Sequence, residues 1–456
     1  MRLPQDPFEL ATILARRLDG AQGDQDTWDK YYAGSQSAAF LSPEALDALN
    51  GSITKLSLNM CRLAILSLVE RLRILGFRID GAAEIDRDVR ESWERSGMDR
   101  GSDSAHVDSF VGRRSYVVAW VDDYGDPLIS AESARQCTTI NDAVTGKSIV
   151  GLKRYWDQID PDQPVGTGHA VLFTADRVVT FSTDDDTPIS GYPPMGGAWT
   201  IEESLPNPTG VCNVVSFVNG YGRRSLDQIE GESDLDDLTS PQDALNKVIM
   251  DSLVTSEAFA RPRRWATGLE IQYKKDPDTG QDVIDAETGL PVPVNPFSKD
   301  SLRVWQAEDP AVKFGQFAQA DLSPYSSLAS SLREAVSAVS TLPGHYLGIA
   351  ADQPPSAEGI RAAEASLVSR AIGKIRMTNP SWTRVAQLEV SLRTGRHPDS
   401  VKARPVWADP STRTPTQEAD VASKLGVLGV PLTNLLTEVL GWTPDQVESA
   451  TGGGVT

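Results

Sequence analysis

Cysteine is scarce: Cys61, Cys137 and Cys212 are the only three in 456 residues, an odd number with no CxxC pair. That excludes a disulfide framework and leaves zinc no recognisable set of thiol ligands. Histidine is nearly as rare. His106, His169, His345 and His397 lie far apart, with neither HxxxH nor HExxH spacing, so no metal or other cofactor is expected. Positive charge is also in deficit, since 43 Lys plus Arg against 63 Asp plus Glu gives a formal net charge of −20 at pH 7. Such a chain cannot hold nucleic acid by neutralising phosphates over its whole surface, so any DNA contact must be local or passing. Long apolar runs are missing too. The most apolar stretch, LSLNMCRLAILSLVERLRILGF at 56–77, is interrupted by Arg62, Glu70, Arg71 and Arg73, too many charges for a membrane span. The opening MRLPQDPFEL has no apolar signal-peptide core, and a soluble protein of a reducing, intracellular compartment is expected.

What is present reads as a mixed α+β chain. Its 456 residues exceed the usual size of one core and suggest roughly three structural units. Residues 1–77 read as helical, with Met60, Leu63, Leu66 and Val69 at helical spacing and Gly76 as a C-terminal cap. From about 105 the pattern changes to strands: RRSYVVAWVDD, ARQCTTIND, HAVLFTADRVVTFST and VCNVVSFVNG are β-branched or aromatic runs bounded by Asp, Gly and Pro. The linker GYGRRSLDQIEGESDLDDL carries five acids between Glu230 and Asp237 and reads as a solvated loop. Ser240, Pro241 and Asp243 open a helix that must stop by Arg261, before Pro262. The turn-rich stretch that follows, with DPDTG, AETG and NPFS, reads as a small β module. A second helix starts near Asp321 to Ser323 with Leu322, Tyr325, Leu328, Leu332, Val336 and Val339 on one face, ending at Leu342 and Pro343. Ser356 can cap a third, in which Ile360, Leu367, Val368, Ala371 and Ile375 repeat at helical spacing. Beyond Pro380, Trp382, Val385, Leu388 and Leu392 resume the period. One long helix with a proline kink is the economical reading.

Two stretches could carry chemistry. Gly146-Lys147-Ser148 follows a strand-like run as the end of a phosphate-binding loop would. The full motif requires glycine at the position of Asn141, and a β-turn is the simpler reading. The stretch LPGHYLGIAADQPP at 342–355 holds a histidine, a tyrosine and a carboxylate. No GxSxG serine or cysteine signature offers His345 a partner, so no catalytic residue is assigned.

The order of segments, together with WDKYYAGSQSAAFLSPE, LSLNMCRLAILSLVERLRILGFRID, RRSYVVAWVDDYGDPLISAESARQ, LNKVIMDSLVTSEAFARPRRWATG, VKFGQFAQADLSPYSSLASSLREAVSAVSTLPGHYLG and PSAEGIRAAEASLVSR, resembles the portal proteins of tailed bacteriophages. The branch is that with long non-contractile tails infecting actinobacteria. It departs at GYGRRSLDQIEG, where the family more often has a proline-rich turn. The resemblance implies an α+β portal fold: wing at 1–235, stem helices at 236–260 and 311–342, a small α/β clip at 261–310, tunnel loop at 343–355, a long kinked wing helix at 356–405, and a helical crown at 406–456. It implies a dodecameric ring at one capsid vertex of the virion, assembled in the host cytoplasm, through which DNA is packaged and ejected. Implied partners are double-stranded DNA in transit without sequence specificity, the terminase large subunit, head-completion or adaptor proteins, and the major capsid and scaffolding proteins; no membrane and no catalysis are implied. Pro343, Gly344, His345, Tyr346, Leu347, Gly348, Asp352 and Gln353 would line the channel as a mobile gate. Arg261, Arg263, Arg264, Lys274 and Lys275 would form a basic, partner-facing cluster on the clip. The alternatives are a nucleotide-binding enzyme using Gly146, Lys147 and Ser148, or another structural virion component such as a minor head protein.

Overall fold

The computed structural model describes residues 3–36, 58–157, 162, 164–189, 191–220, 231–260, 264–268, 273–277, 279–285, 288–294, 311–316, 321–349, 356–411, 415–442 and 444–451. The chain divides into two compact units, one from Met1–Phe40, Thr54–Lys247 and Ser330–Thr456, the other from Leu41–Ile53 and Val248–Ala329.

The helices are α1 (Pro7–Gly20), α2 (Gln22–Ala33), α3 (Met60–Val69), α4 (Arg87–Arg95), α5 (Met98–Gly112), α6 (Thr239–Ala260), α7 (Ser323–Ser340), α8 (Ala357–Thr394), α9 (Pro415–Val427) and α10 (Pro444–Thr451). The strands are β1 (Ile74–Ile79), β2 (Arg114–Val121), β3 (Pro127–Ser133), β4 (Cys137–Asn141), β5 (Ser148–Asp157), β6 (Val165–Phe173), β7 (Arg177–Ser182), β8 (Thr200–Pro206), β9 (Val214–Val218), β10 (Arg264–Thr267), β11 (Lys313–Gln316) and β12 (Ala403–Trp407). Every strand pairing among them is antiparallel, giving the α+β arrangement expected of the sequence.

In the first unit an antiparallel meander runs in the order β4-β5-β6-β7-β8. Its inner face, with Val150, Leu152, Leu172 and Phe181, buries α1 through Leu10 and Leu14. Asp6 caps α1 by accepting from the amides of Phe8 and Glu9, the side-chain acceptor a helix start requires. A second sheet, in the order β9-β2-β3, packs under α4, α5 and the second half of α8. Trp93, Phe217 and Trp382 meet there edge to face among Phe77, Val385 and Leu388. The neighbouring core gathers Ile65, Leu68, Phe110, Val336, Leu347 and Leu367 from five separate segments.

Several boundaries follow from local chemistry. Ser356 Oγ accepts from the Gly359 amide and opens α8, which runs unbroken for 38 residues with Pro380 inside it. The helix before Pro262 ends at Ala260. The helical reading of 1–77 needs correction. Helix α3 stops at Val69, and Ile74–Ile79 is a strand paired with Ala403–Trp407. Gly76 therefore caps no helix. It marks a register shift in that pairing, where any Cβ would collide with the Ile85 side chain.

The acidic linker is also more engaged than a solvated loop. Asp234 Oδ2 lies 2.7 Å from Lys374 Nζ, and Asp236 Oδ1 accepts from Trp28 Nε1 at 2.9 Å. These two acids pin the segment ahead of α6 to α8 and α2. In the second unit, β10 pairs with β11. In the stretch 273–293 the described residues form isolated β-bridges, Tyr273 with Pro293, Lys275 with Asp282 and Ile284 with Pro291, joined by turns.

Candidate functional site

The loop after α7 is held by side chains from its first residue. Thr341 takes a left-handed φ of 61°, unusual for a β-branched residue. Its neighbours fix it there: Arg370 Nη1 donates to the Ser340 carbonyl at 2.9 Å, Ser366 Oγ to the Thr341 carbonyl at 3.2 Å and Ser337 Oγ to the Leu342 carbonyl at 2.6 Å. Residues Gly344–Leu347 then form one turn of 3₁₀ helix, closed by Gly348 at φ 66°. Leu347 is only 3% exposed and packs with Val336, Leu342, Leu367 and Ala371.

Of the eight loop residues expected to line a channel, Pro343 and Leu347 point into the protein instead, while His345 and Gly348 are exposed. Gly344 and Tyr346 are half-buried. Asp352 and Gln353 lie outside the described residues. The Tyr346 hydroxyl accepts from Arg71 Nη2 at 3.2 Å and donates to Glu364 Oε1 at 3.4 Å. Arg71 also pairs with Glu364 at 3.3 Å and donates to the Pro410 carbonyl at 2.8 Å. One guanidinium thus ties the turn to α8 and to the segment leading to α9. His345 Nε2 stands 3.9 Å from Glu364 Oε1, too far for a hydrogen bond, and no nucleophile adjoins it among the described residues. Among the described residues the geometry is a fastening, with no hydrogen-bonded acid–base pair in it.

Of the basic cluster, Arg264, Lys274 and Lys275 are among the described residues. Arg261 and Arg263 lie outside the described residues, and the Arg264 backbone pairs with Gln316 at the start of β10. Lys274 and Lys275 are exposed and consecutive in an extended segment, so their side chains leave opposite faces.

Gly146, Lys147 and Ser148 sit in the hairpin between β4 and β5, with a strand where a phosphate-binding loop would open a helix. Asp142 Oδ1 accepts from the Thr145 amide, the Gly146 amide donates to the Asp142 carbonyl, the Asp142 amide to the Lys147 carbonyl, and Gly146 has φ 72°. Asp276 with Thr279, Gly280 and Gln281, and Asp285 with Thr288, Gly289 and Leu290, repeat every one of these bonds. GKS is the tail of a D-x-x-T-G hairpin turn used three times. Lys147 Nζ is bound to Asp399 at 2.8 Å.

Sequence reasoning missed Arg71, Glu364 and Lys374. Glu364 and Lys374 left a signal: both interrupt the apolar stripe of α8, where a charge needs a buried partner. Lys374 donates to Asn219 Oδ1 at 2.5 Å and to Asp234 Oδ1 at 2.8 Å. Burial holds its ammonium below the ordinary lysine pKa, although Asp234 pulls the other way.

A family model described as phage portal protein, SPP1 Gp6-like, matches residues 23–449. The chain belongs to that family. The portal protein of Mycobacterium phage D29 is 28% identical over 378 residues, covering 80% of this chain and 71% of the relative. That of Mycobacterium phage L5 is 27% identical over the same length and shares. Similar solved structures include the neck of a native gene transfer agent particle computed with C12 symmetry, at TM-score 0.43 and 11% identity, covering 89% of this chain and 96% of that one. The virion of a native gene transfer agent particle has TM-score 0.42 and 12% identity, covering 92% of this chain and 99% of that one. A phage portal protein is a structural component of the virion, the connector between head and tail. No described helix of this one is long and apolar enough to cross a membrane.

Proposed function

We propose that copies of this portal protein close into a dodecameric ring whose channel passes double-stranded DNA during packaging and ejection. The observation that carries the ring is the surface of α7 and of the residue that precedes it, Leu322. Leu322, Leu328 and Val339 are 38%, 51% and 44% exposed in the single chain, an apolar row that a neighbouring copy would cover. Negative-stain images and light scattering of purified protein should show rings. Leu332→Asp should leave monomers or aggregates, because burying an unpaired carboxylate costs several kcal/mol. A wild-type protein that stays monomeric, or a Leu332→Asp variant that assembles normally, refutes the reading.

Within the ring, the wing (1–235), the stem helices, the clip (261–310), the tunnel loop (343–355), the wing helix (356–405) and the crown (406–456) take the roles the family resemblance implies. The terminase large subunit and adaptor proteins would meet the clip, with capsid and scaffolding proteins as further partners. The loop 343–355 has no Lys or Arg. That suits a gate that touches passing DNA, because each fixed cation on a phosphate would add affinity and hence drag. No bond chemistry is assigned to the chain, a reading supported by the hairpin role of Gly146 and by the engagement of Lys147 with Asp399.

A further inference from the structure

A cleft of about 330 Å³ opens beside α1 and α2, at the junction of α5 with β2. Its floor is apolar, with Leu18, Trp28, Tyr116 and Cys137 at 1%, 6%, 2% and 0% exposure. Arg17, Arg113 and Arg114 line it as well, against one acid, Asp24, a local cationic excess in a chain whose net charge is −20.

Arg113 is the anomaly. It caps α5 at φ 67° and ψ −27°, a left-handed position that glycine occupies without strain and arginine does not. The guanidinium lies over the Trp28 ring, 4.3 Å from its centroid. Its nearest carboxylates, Asp24 and Asp236, are 3.8 and 4.0 Å away, beyond hydrogen-bond reach, and its Nε is shielded from solvent without an acceptor. A rigid five-donor fork is therefore held against an aromatic floor, within ion-pair distance of Asp24 and Asp236 but hydrogen-bonded to neither.

We propose that this cleft docks an acidic–apolar peptide segment of a partner protein: a carboxylate on Arg113, and the adjoining apolar side chain on Trp28 and Tyr116. Bidentate pairing with a planar carboxylate is what the fork geometry favours. The apolar floor gives a neighbouring Leu or Phe somewhere to be buried, which a nucleic-acid backbone could not use. The overall negative field also penalises one carboxylate far less than a polyanion.

The test uses the full-length protein and a fluorescein-labelled peptide, Gly-Leu-Glu-Asp-Leu-Phe-Gly, with its Gln/Asn counterpart as control, read by anisotropy. The acidic peptide should bind at least tenfold more tightly than the amide control. Arg113→Gly, which suits the left-handed backbone, should abolish that preference while leaving the melting temperature equal or higher. Arg113→Lys should keep only part of it. Equal binding of the two peptides by wild-type protein overturns the proposal, as does unchanged binding by Arg113→Gly. A fall in the melting temperature of Arg113→Gly makes the arginine a structural brace and also overturns it. So does a short DNA duplex or inorganic phosphate that outcompetes the peptide at equal concentration, since the cleft would then be a phosphate site.

Discussion

His106 is fully buried, stacked 6.0 Å from both Phe110 and Trp407, with Trp382 edge-on at 5.6 Å. Trp382 Nε1 donates to its Nε2 at 3.0 Å, which puts the imidazole proton on Nδ1. Burial pushes its pKa down to about 3. Because the folded value lies below the unfolded one, the contribution is intact above the unfolded value of about 6.5 and is lost as pH falls, when the unfolded chain takes up a proton the fold refuses. With those two values the loss is about 2 kcal/mol between pH 7 and pH 5 and about 3 kcal/mol by pH 4. His106→Phe keeps the stacking but leaves the Trp382 N–H without an acceptor, a cost of about 1–3 kcal/mol that does not depend on pH. Urea unfolding followed by tryptophan fluorescence should therefore show wild-type protein more stable at pH 7, the two converging near pH 5, and the variant ahead at pH 4. Taking the difference between the two proteins cancels other groups, such as Asp108, whose carboxyl burial raises to about 6. A constant gap from pH 7 to pH 4 would refute the argument.

Three further outcomes follow from burial and pairing. Leu347→Ala should cost about 2–5 kcal/mol, as expected for emptying a core position, whereas His345→Ala should stay within about 0.5 kcal/mol; urea midpoints decide, and a neutral Leu347→Ala would make the turn a free loop after all. Asp234→Ala should destabilise by about 3–5 kcal/mol by stranding the buried Lys374 ammonium. Adding Lys374→Met should recover most of that, and no recovery in the double variant would contradict the pairing. Lys147→Ala removes a half-exposed ion pair worth about 0.5 kcal/mol, so thermal stability and particle assembly should be unchanged. Phosphate release from ATP or GTP should be undetectable in both proteins, and turnover lost in the variant would reopen the nucleotide-binding reading.

Helix punctuation was legible at most local signals, Gly76 excepted. Ser356, the Arg261–Pro262 step and Leu342–Pro343 act within a few residues of themselves, so their chemistry could be read in order. Strand β1 was not legible, because ILGFRI continues an apolar helix in composition and becomes a strand only through pairing with Ala403–Trp407, more than three hundred residues on. The fastening of the turn escaped for a similar reason. Arg71, Tyr346, Glu364 and Pro410 come from four distant segments, and no spacing rule links them. The acidic run was read by the average behaviour of such runs, whereas Asp234 and Asp236 are individually satisfied by Lys374 and Trp28. The expectation that Leu347 lines a channel missed its burial, because its partners Leu367 and Ala371 lie on the next helix.

Helix α8 has 38 residues, a length of about 57 Å at 1.5 Å per residue. It enters one core with Leu367 and Ala371 and leaves through another with Trp382, Val385 and Leu388. It behaves as a strut clamped at two points. A push on the Ser356 end cannot be absorbed near that end, since close-packed interiors give way by discrete repacking and not by gradual compression. Displacement there either slides Leu367 and Ala371 against Leu347 or flexes the rod at Pro380, where a backbone hydrogen bond is already missing. Load arriving at the turn is thereby reported as far as the Trp93–Trp382 cluster, so the indole emission there should register it.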